Sequence, residues 1–358
     1  MDILKKIDWR LNIAIFIIMS LGLITLSSGF LELFYQQLVW MILGIFILLF
    51  IPFLNLRHFF SYRWIILLIF FFSIVLLILV QIFGVTVSGS RSWLGIGSFG
   101  FQPSELAKLT LILVLASFFS RRHVGIKKIE TILGSFFYLI FPIFLILLEP
   151  DVGAALIFFG IWFGFLLGSG MPLKYLLLAF PFILVLSLLI WNFGFEDYQR
   201  ARILGFLSPW EDPLGVNYNV IQSKIAIGSA GLFGKGFGQG TQVNLGFLPV
   251  AHTDFIFAAF VEEWGILAGI ILIFIFSYII FRICKIAIRS HNNFNKLFCL
   301  GAVLFFFFQF IINIGSTLGL TPVIGVVFPF LSYGGSNFLT SFLIIGIIQN
   351  IAVSKEIS

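Results

Sequence analysis

The sequence predicts an all-α, polytopic membrane protein with about ten transmembrane helices. Only 10% of the 358 residues are charged and 60% are hydrophobic, whereas roughly a quarter of the residues in a typical soluble domain carry a charge. The hydrophobic residues form long runs without charges, interrupted by polar, Gly or Pro residues, which is the pattern of successive membrane spans. The composition therefore excludes a soluble domain.

Ten of these runs approach the length of about 20 residues that crosses a bilayer. An even number of spans puts both termini on one side of the membrane. The basic connections at 54–63, 121–128 and 282–296 predict that this side is the cytoplasm. The predicted spans are, roughly, 11–29, 34–53, 64–84, 105–120, 131–148, 152–169, 175–194, 254–281, 297–317 and 337–353.

The formal net charge of +6 is explained by this topology, so nucleic acid is not an expected partner. Cys284 and Cys299 both flank a predicted cytoplasmic connection, where thiols stay reduced, and no disulfide is expected. His252 is the one histidine on the outer side, too few for a histidine-based metal site. Six of the 21 Lys and Arg residues lie on the predicted outer side: Arg91, Lys108, Arg200, Arg202, Lys224 and Lys235.

The stretch 195–253 is polar and Gly-rich, and it forms a long outer loop between predicted spans seven and eight of a single transmembrane domain. Loops longer than about 15 residues are usually functional or disordered. Apolar faces at 203–207 and 221–227 favour short helices on the membrane surface over disorder. We therefore expect function in this loop, and a second Gly-rich outer loop spans 85–104.

Four cations, Arg200, Arg202, Lys224 and Lys235, lie in the long loop. Such a cluster at a membrane surface suits a lipid-linked phosphate or pyrophosphate, and attraction to anionic lipid headgroups explains it equally well. The glycine run 231–240 lacks the Gly and Ser or Thr positions of a Walker phosphate loop. A flexible turn, or backbone lying close to a ligand, is the better interpretation of that run.

Glu105 and Lys108 are three residues apart at the start of span four, so they share one helical face and could form an ion pair. A structural pair and a functional pair are equally consistent with the pattern. Trp93, in the preceding loop, could stack on a sugar. An anchor at the membrane interface is the commoner role of such a Trp.

Further acidic residues lie at the starts of spans six and eight. The Glu-Pro-Asp segment 149–151 marks an outer turn, where solvated carboxylates are expected. Thr253 or Asp254 could cap span eight, and the cap is favoured when these residues are taken alone. Glu262 and Glu263 lie two turns further into the same span, too deep to be explained as a cap.

Blocks of residues spread through the whole chain resemble the SEDS (shape, elongation, division and sporulation) family, on its RodA-like branch. Any one block is a weak signal, but their common order on the predicted side of the membrane makes the set specific. The GTQ block and the compact length indicate the RodA-like branch. The blocks are 89–94 (GSRSWL), 101–108 (FQPSELAK), 149–153 (EPDVG), 218–219 (YN), 222–228 (QSKIAIG), 234–236 (GKG), 240–242 (GTQ), 247–249 (FLP), 252–257 (HTDFIF) and 329–336 (PFLSYGGS).

The resemblance implies a peptidoglycan glycosyltransferase that polymerises lipid II outside the bacterial cytoplasmic (inner) membrane during elongation of the cell wall. It implies as partners a class B penicillin-binding protein, which cross-links the glycan, and other proteins of the elongation complex. Asp254 matches the family's essential aspartate, and Trp93, Glu105 and Lys108 match other positions needed for activity. Val250 stands where the family usually has Glu. The resemblance leaves open whether a divalent cation, Mg²⁺ or Mn²⁺, takes part, and no metal ligand is assigned.

Growth of a glycan on lipid II replaces an anomeric pyrophosphate with a sugar 4-hydroxyl, with inversion. One base is enough for this reaction, because a pyrophosphate leaves without protonation when cations take up its charge. We expect Asp254 to be that base. A lipid II flippase and a non-enzymatic scaffold are the alternatives, and the clustering of polar groups at the outer face argues mildly against the flippase. The cations expected to contact substrate are Lys108, Arg200, Arg202, Lys224 and Lys235.

Overall fold

The computed structural model describes residues 2–87, 90–96, 99–121, 129–170, 172, 191–192, 197–208 and 212–354. Within these ranges the protein is a bundle of apolar helices with one small sheet. Its strands are β1 (Val85–Val87), β2 (Ser90–Ile96) and β3 (Phe99–Phe101). Its helices are α1 (Asp2–Lys6), α2 (Trp9–Gly29), α3 (Leu31–Phe50), α4 (Leu56–Ser61), α5 (Arg63–Phe83), α6 (Pro103–Ser120), α7 (Ile129–Leu148), α8 (Val152–Gly168), α9 (Asp197–Leu207), α10 (Tyr218–Ser229), α11 (Thr241–Asn244), α12 (Ile256–Arg289), α13 (Asn293–Leu318) and α14 (Gly335–Ser354).

Eight of the described helices are long and apolar enough to cross a membrane, and α8 is a shorter apolar helix. In order and position these helices match the predicted spans other than the seventh. The seventh, predicted at 175–194, lies outside the described residues except for 191–192. The prediction of an all-α, polytopic membrane protein is confirmed.

Helices α6 and α14 form the centre of the bundle. Nearly every residue of both is buried, and α6 contacts α5, α7, α8, α13 and α14. A helix that is apolar on all sides is stable only when surrounded by other helices. Polar side chains on α6 and α14 must therefore find their hydrogen-bond partners inside the bundle.

Both chain ends lie at the same end of the bundle. The backbone N–H of Asp8, just before α2, donates to Oε1 of Gln349 near the end of α14 at 2.9 Å. The Asp8 carboxylate forms an ion pair with Arg282, near the end of α12. Helices α12 and α14 therefore begin at the opposite end of the bundle.

Helix α12 is broken at Gly265, which has a φ of 88°. The N–H groups of Ile266 and Leu267 donate to the carbonyls of Gly231 and Leu232, at 3.1 and 3.3 Å. In the other direction, the carbonyls of Glu262 and Glu263 accept from the N–H groups of residues 235 and 236, both at 3.0 Å. Because broken backbone in a membrane helix must find partners within the protein, the glycine run 231–240 serves to complete this break. The backbone of this run therefore lies close to the backbone of α12.

The loop 85–104 folds into a small antiparallel sheet in the order β1-β2-β3, which the sequence did not predict. Trp93 on β2 pairs with Val85 on β1. Its ring lies against Gly100 on β3, where an added Cβ would come within 2.9 Å of the indole. Arg91 donates to the carbonyls of Ile82 and Gly84, both at 2.8 Å, and so ties the sheet to the end of α5.

The described part of the long loop contains the expected short helices, α9 and α10. Helix α10 packs against α12 and α13, with Ser223 and Ala226 fully buried. The Ser223 hydroxyl donates to the carbonyl of Thr317 on α13 at 2.7 Å. The loop is therefore built onto the bundle at the end where α12 begins.

Candidate functional site

A cavity of about 530 Å³ lies at the end of the bundle where α6, α8, α12 and α14 begin. Polar and ionisable side chains are costly at membrane depth and are usually functional there. Five of the predicted site residues line the cavity, namely Trp93, Glu105, Lys108, Arg202 and Asp254. Other polar residues that line it include Gln36, Gln102, Asp151, Gln199, His252, Gln309, Tyr333 and Asn337.

Asp254 lies in a tight turn that neighbouring elements hold by its backbone. The carbonyl of Asp254 accepts from Nδ2 of Asn313 on α13 at 2.9 Å. The Thr253 carbonyl accepts from the hydroxyl of Ser332 at 2.7 Å, and the His252 carbonyl accepts from the N–H of Tyr333 at 3.0 Å. Hydrogen bonds from outside the turn thus fix three successive carbonyls, and they restrict the position of the Asp254 carboxylate.

The expectation that Thr253 or Asp254 caps the eighth span is wrong. Helix α12 begins at Ile256, its N-cap residue is Phe255, and no side chain caps it among the described residues. Asp254 lies before the first residue of the helix and lines the cavity instead. The carboxylate is therefore available for chemistry.

Burial raises the pKa of Asp254 from 3.8 to about 6, and the Arg202 guanidinium and the Thr253 hydroxyl act in the opposite direction. A carboxylate with this pKa is ionised at neutral pH and is a stronger base than an exposed one. Burial also lowers the pKa of the neighbouring His252, so its imidazole is neutral at pH 7. Asp254 is thus a suitable proton acceptor at neutral pH.

Glu105 and Lys108 form a buried ion pair, with 2.7 Å between Lys108 Nζ and Glu105 Oε1. Asn337 on α14 donates to Glu105 Oε2 and to Gln309 Oε1, both at 2.9 Å. The lysine also lies over the ring of Phe305, 5.9 Å from its centroid. The predicted pair is confirmed, and it belongs to a network across α6, α13 and α14 that forms one wall of the cavity. A structural role and a contact with substrate both stay open for this pair.

The prediction of a solvated Glu-Pro-Asp turn is wrong. Glu149 is fully buried, and neither of its carboxylate oxygens has a hydrogen-bond partner among the described residues. Burial, and then the nearby Asp151, raise the pKa of Glu149 to about 8, so it is protonated at neutral pH. Asp151 caps α8, accepting from Ala154 N–H at 2.8 Å, and accepts from Gln102 Nε2 at 3.2 Å. The Ser90 hydroxyl on β2 donates to the Glu149 carbonyl at 2.5 Å, and Pro150 and Asp151 form part of the cavity wall.

The four predicted loop cations are not gathered in one place. Arg202 lines the cavity beside Asp254. It also lines a smaller cavity of about 240 Å³, whose wall includes Lys224. The Arg200 guanidinium donates to the carbonyls of Trp191 and Asn192, both at 3.1 Å. Among these residues Arg202 is the cation placed to act with Asp254.

Lys235 is paired elsewhere, with its Nζ 2.7 Å from Oε1 of the buried Glu262. The same oxygen accepts from the Thr241 hydroxyl at 3.2 Å and from the Gln242 N–H at 3.0 Å. Oε1 of Glu263 accepts from the N–H of Gly238 at 3.2 Å. The two adjacent carboxylates therefore fasten the glycine run to the broken helix, and they do not enter the main cavity.

Sequence reasoning missed the neutral polar residues of the site. Gln309, Asn313 and Asn337 lie inside apolar spans, and a carboxamide at membrane depth is itself a sign of function. These three carboxamides are therefore a signal that the sequence itself contains. Within the described ranges, no group of three or more His, Cys, Asp or Glu side chains is arranged to hold a metal ion.

The chain matches the cell cycle protein family FtsW/RodA/SpoVE over residues 6–357. The peptidoglycan glycosyltransferase MrdB of Escherichia coli K12 is 38% identical over 286 residues, which cover 79% of this chain and 76% of that protein. Stage V sporulation protein E of Bacillus subtilis is 35% identical over 282 residues, covering 78% of this chain and 76% of that protein.

Solved structures share the fold over almost the whole length. A chain of a peptidoglycan synthase complex superposes with a TM-score of 0.83 at 31% identity, covering 98% of both chains. The rod shape determining protein RodA of Thermus thermophilus gives a TM-score of 0.72 at 27% identity, covering 97% of this chain and 96% of that one. These matches agree with the resemblance seen in the sequence blocks, and the chain belongs to the FtsW/RodA/SpoVE family.

Proposed function

We propose that this protein is a peptidoglycan glycosyltransferase that polymerises lipid II, with Asp254 as the general base. The observation that carries the proposal is the placement of Asp254. It is a half-buried carboxylate with a pKa raised to about 6, on a turn held by its backbone, in a cavity that also contains Arg202. The names of the relatives, peptidoglycan glycosyltransferase among them, support the same activity.

In the proposed reaction, Asp254 accepts the proton of the 4-hydroxyl of the acceptor sugar. The hydroxyl oxygen forms a bond to the anomeric carbon of the donor as the bond from that carbon to the diphosphate oxygen breaks, with inversion. The diphosphate leaves with the bonding electron pair, and Arg202 stabilises its charge. Asp254 then releases its proton to water, which regenerates the ionised carboxylate.

Lys108 has a different position from Arg202, because it is buried and already paired with Glu105 at 2.7 Å. An ammonium has three N–H donors, so Lys108 can contact a substrate phosphate without leaving its partner. We assign it and Trp93 to substrate binding at the wall of the cavity. Arg200, Lys224 and Lys235 remain predictions as substrate contacts, and they lie outside this wall.

The decisive experiment is polymerisation of labelled lipid II by purified protein in liposomes, with glycan strands separated by gel electrophoresis. Asp254→Asn should reduce the rate by at least about a hundredfold, since general base catalysis contributes roughly 10² to 10⁴. Glu32→Gln is the matched control, because Glu32 is an exposed carboxylate at the start of α3, at the same end of the bundle. Polymerisation by Asp254→Asn at the wild-type rate would refute the assignment. Transfer of lipid II across the bilayer without polymer would favour the flippase, and no activity in wild type with its partner would favour the scaffold.

We further propose that the cavity opens on the extracytoplasmic side and that both termini are cytoplasmic. The support is the distribution of basic residues in the sequence and the shared position of Asp8 and Gln349 at the far end of the bundle. Cysteine labelling tests it, after replacement of the native cysteines. A membrane-impermeant maleimide should label Leu214→Cys in intact cells and Ile288→Cys only after permeabilisation, since both positions are highly exposed. The reverse labelling pattern would place the Asp254 carboxylate on the cytoplasmic side, which is the wrong side for a polymerase of the cell wall.

A class B penicillin-binding protein is the proposed partner, which would cross-link the strands that this protein makes. The likeness to a chain from a peptidoglycan synthase complex supports this proposal. Co-purification of the two proteins from membranes, and a higher polymerisation rate for the complex than for this protein alone, are the expected results.

A further inference from the structure

A second group of charged residues lies at the opposite end of the bundle from Asp254. A crevice of about 500 Å³ is formed there where α1 and α2 meet the end of α12. Among the described residues, the acidic side chain that lines this crevice is Asp8, which is already paired with Arg282. We call this crevice the basic crevice. The cations that line it are Lys5, Lys6, Arg10, Arg282, Lys285 and Arg289.

The positive-inside rule accounts for basic residues at this end of the bundle, but it does not require them to converge. In the basic crevice they come from two segments at distant positions in the sequence, brought together by the Asp8–Arg282 pair. Gln349 on α14 holds the junction from a third side, accepting from Asp8 N–H at 2.9 Å and donating to Asn12 Oδ1 at 2.6 Å. The crevice is therefore a built concave feature with a large excess of positive charge.

An apolar groove adjoins the basic crevice, and Arg10 lines both. The groove has a volume of about 450 Å³ and runs between α2 and α12 along the outside of the bundle. Ile17, Ile271 and Phe274 are among its lining residues, and all three are exposed. A ligand filling both features would have an anionic head beside the cations and an apolar tail beside these side chains.

We propose that the basic crevice and the apolar groove together bind one anionic phospholipid, with its phosphate in the crevice and an acyl chain in the groove. Basic pockets between membrane helices are a recognised form of site for anionic headgroups. The apolar groove selects a lipid over a free phosphate, because a soluble anion would leave it unfilled. The bound lipid would bridge α2 and α12, and α12 is the helix whose other end begins two residues after Asp254. This site is independent of the proposed glycosyltransferase activity.

The test is native mass spectrometry of delipidated, full-length protein titrated with phosphatidylglycerol or phosphatidylcholine. Wild type should bind one phosphatidylglycerol at least about tenfold more tightly than phosphatidylcholine, since several cations face the anionic headgroup. The triple variant Arg10→Gln, Lys285→Gln, Arg289→Gln should lose this preference. The matched control Arg57→Gln, Arg121→Gln, Lys296→Gln removes three charges outside the basic crevice and should keep it.

Ile17→Trp tests the acyl part, because it fills the groove and leaves the charges in place. It should weaken phosphatidylglycerol binding severalfold, and it serves as the second variant should the triple substitution fail to fold. An unchanged preference in the triple variant, or an equal loss in the control triple, would overturn the proposal in favour of diffuse attraction to charge. Unchanged binding in Ile17→Trp would overturn the assignment of the groove to the lipid.

Discussion

Replacing Asp254 by Asn should make the protein more stable at neutral pH while it abolishes polymerisation. The carboxylate is half-buried in the cavity wall, and burial raises its pKa from 3.8 to about 6. The folded state therefore holds a charge that it solvates less well than water does. Asn has nearly the same shape and can still accept from the Thr253 hydroxyl, but it carries no charge.

The magnitude follows from the pKa, because each pKa unit is worth about 1.4 kcal/mol. The rise of about two units sets a ceiling of roughly 3 kcal/mol for the gain, and partial exposure of the carboxylate lowers the expected value to about 1 to 2 kcal/mol. The sign can be checked against pH. Above about pH 6 the carboxylate of Asp254 is ionised in both folded and unfolded states, and the folded state is destabilised. As the pH falls from about 6 to 3.8, the folded state takes up the proton first and wild type becomes more stable relative to its own value at pH 8.

The assay is thermal unfolding of both proteins in the same detergent at pH 8 and at pH 5. Asp254→Asn should unfold a few degrees above wild type at pH 8, and this difference should shrink at pH 5. Glu32→Gln, which removes an exposed carboxylate, should show no such pH-dependent difference. In the same pH range the polymerisation rate of wild type should fall as the pH drops below about 6. A variant that is less stable than wild type at pH 8 would refute the view that burial of this carboxylate costs stability.

Three other predictions follow from contacts elsewhere. Lys235→Met should destabilise the protein by about 2 kcal/mol in thermal unfolding, because it leaves the buried Glu262 carboxylate without its counter-ion. Lys235→Arg keeps a counter-ion and should recover part of the lost stability. Gly265→Ala should give little monodisperse protein on gel filtration, because its φ of 88° and its close approach to the glycine run exclude a side chain. The control is Gly228→Ala, inside a helix with open space around it. It should leave stability unchanged or raise it by about 0.5 to 1 kcal/mol. Lys108→Met should abolish lipid II polymerisation, and retention of more than half the wild-type rate would remove this residue from the site.

The membrane spans could be predicted from the sequence because hydropathy is a property of each segment alone. The boundaries of α6, predicted at 105–120 and found at Pro103–Ser120, differ only by the two residues at its start. The Glu105–Lys108 pair was equally accessible, since three-residue spacing on a helix brings side chains together wherever the helix lies. Local features of the sequence thus gave the architecture and the central ion pair.

Features that depend on distant segments could not be predicted in this way. Gly265 lies in an apolar run like any other glycine, and its break exists only because the run 231–240 supplies the missing backbone partners. The burial of Glu149 depends in the same way on elements that cover its turn. Lys235 is one more cation of the long loop in the sequence, and the carboxylate that it pairs with, Glu262, lies 27 positions later. In each case the sequence shows the residue but not the neighbour that decides its role.

The two principal groups of the proposed mechanism require different precision in their placement. A general base must lie within hydrogen-bond distance of the proton that it accepts, and a misplacement of about 1 Å can cost a hundredfold in rate. The turn of Asp254 is correspondingly fixed by Asn313, Ser332 and Tyr333, which come from α13 and from the segment before α14. A cation that stabilises a diphosphate acts through a Coulomb interaction that falls off slowly with distance, so it can be carried by a less rigid element. Arg202 is carried by α9, a short helix of the long loop, and we expect the polymerisation rate to depend less on its exact position than on that of Asp254.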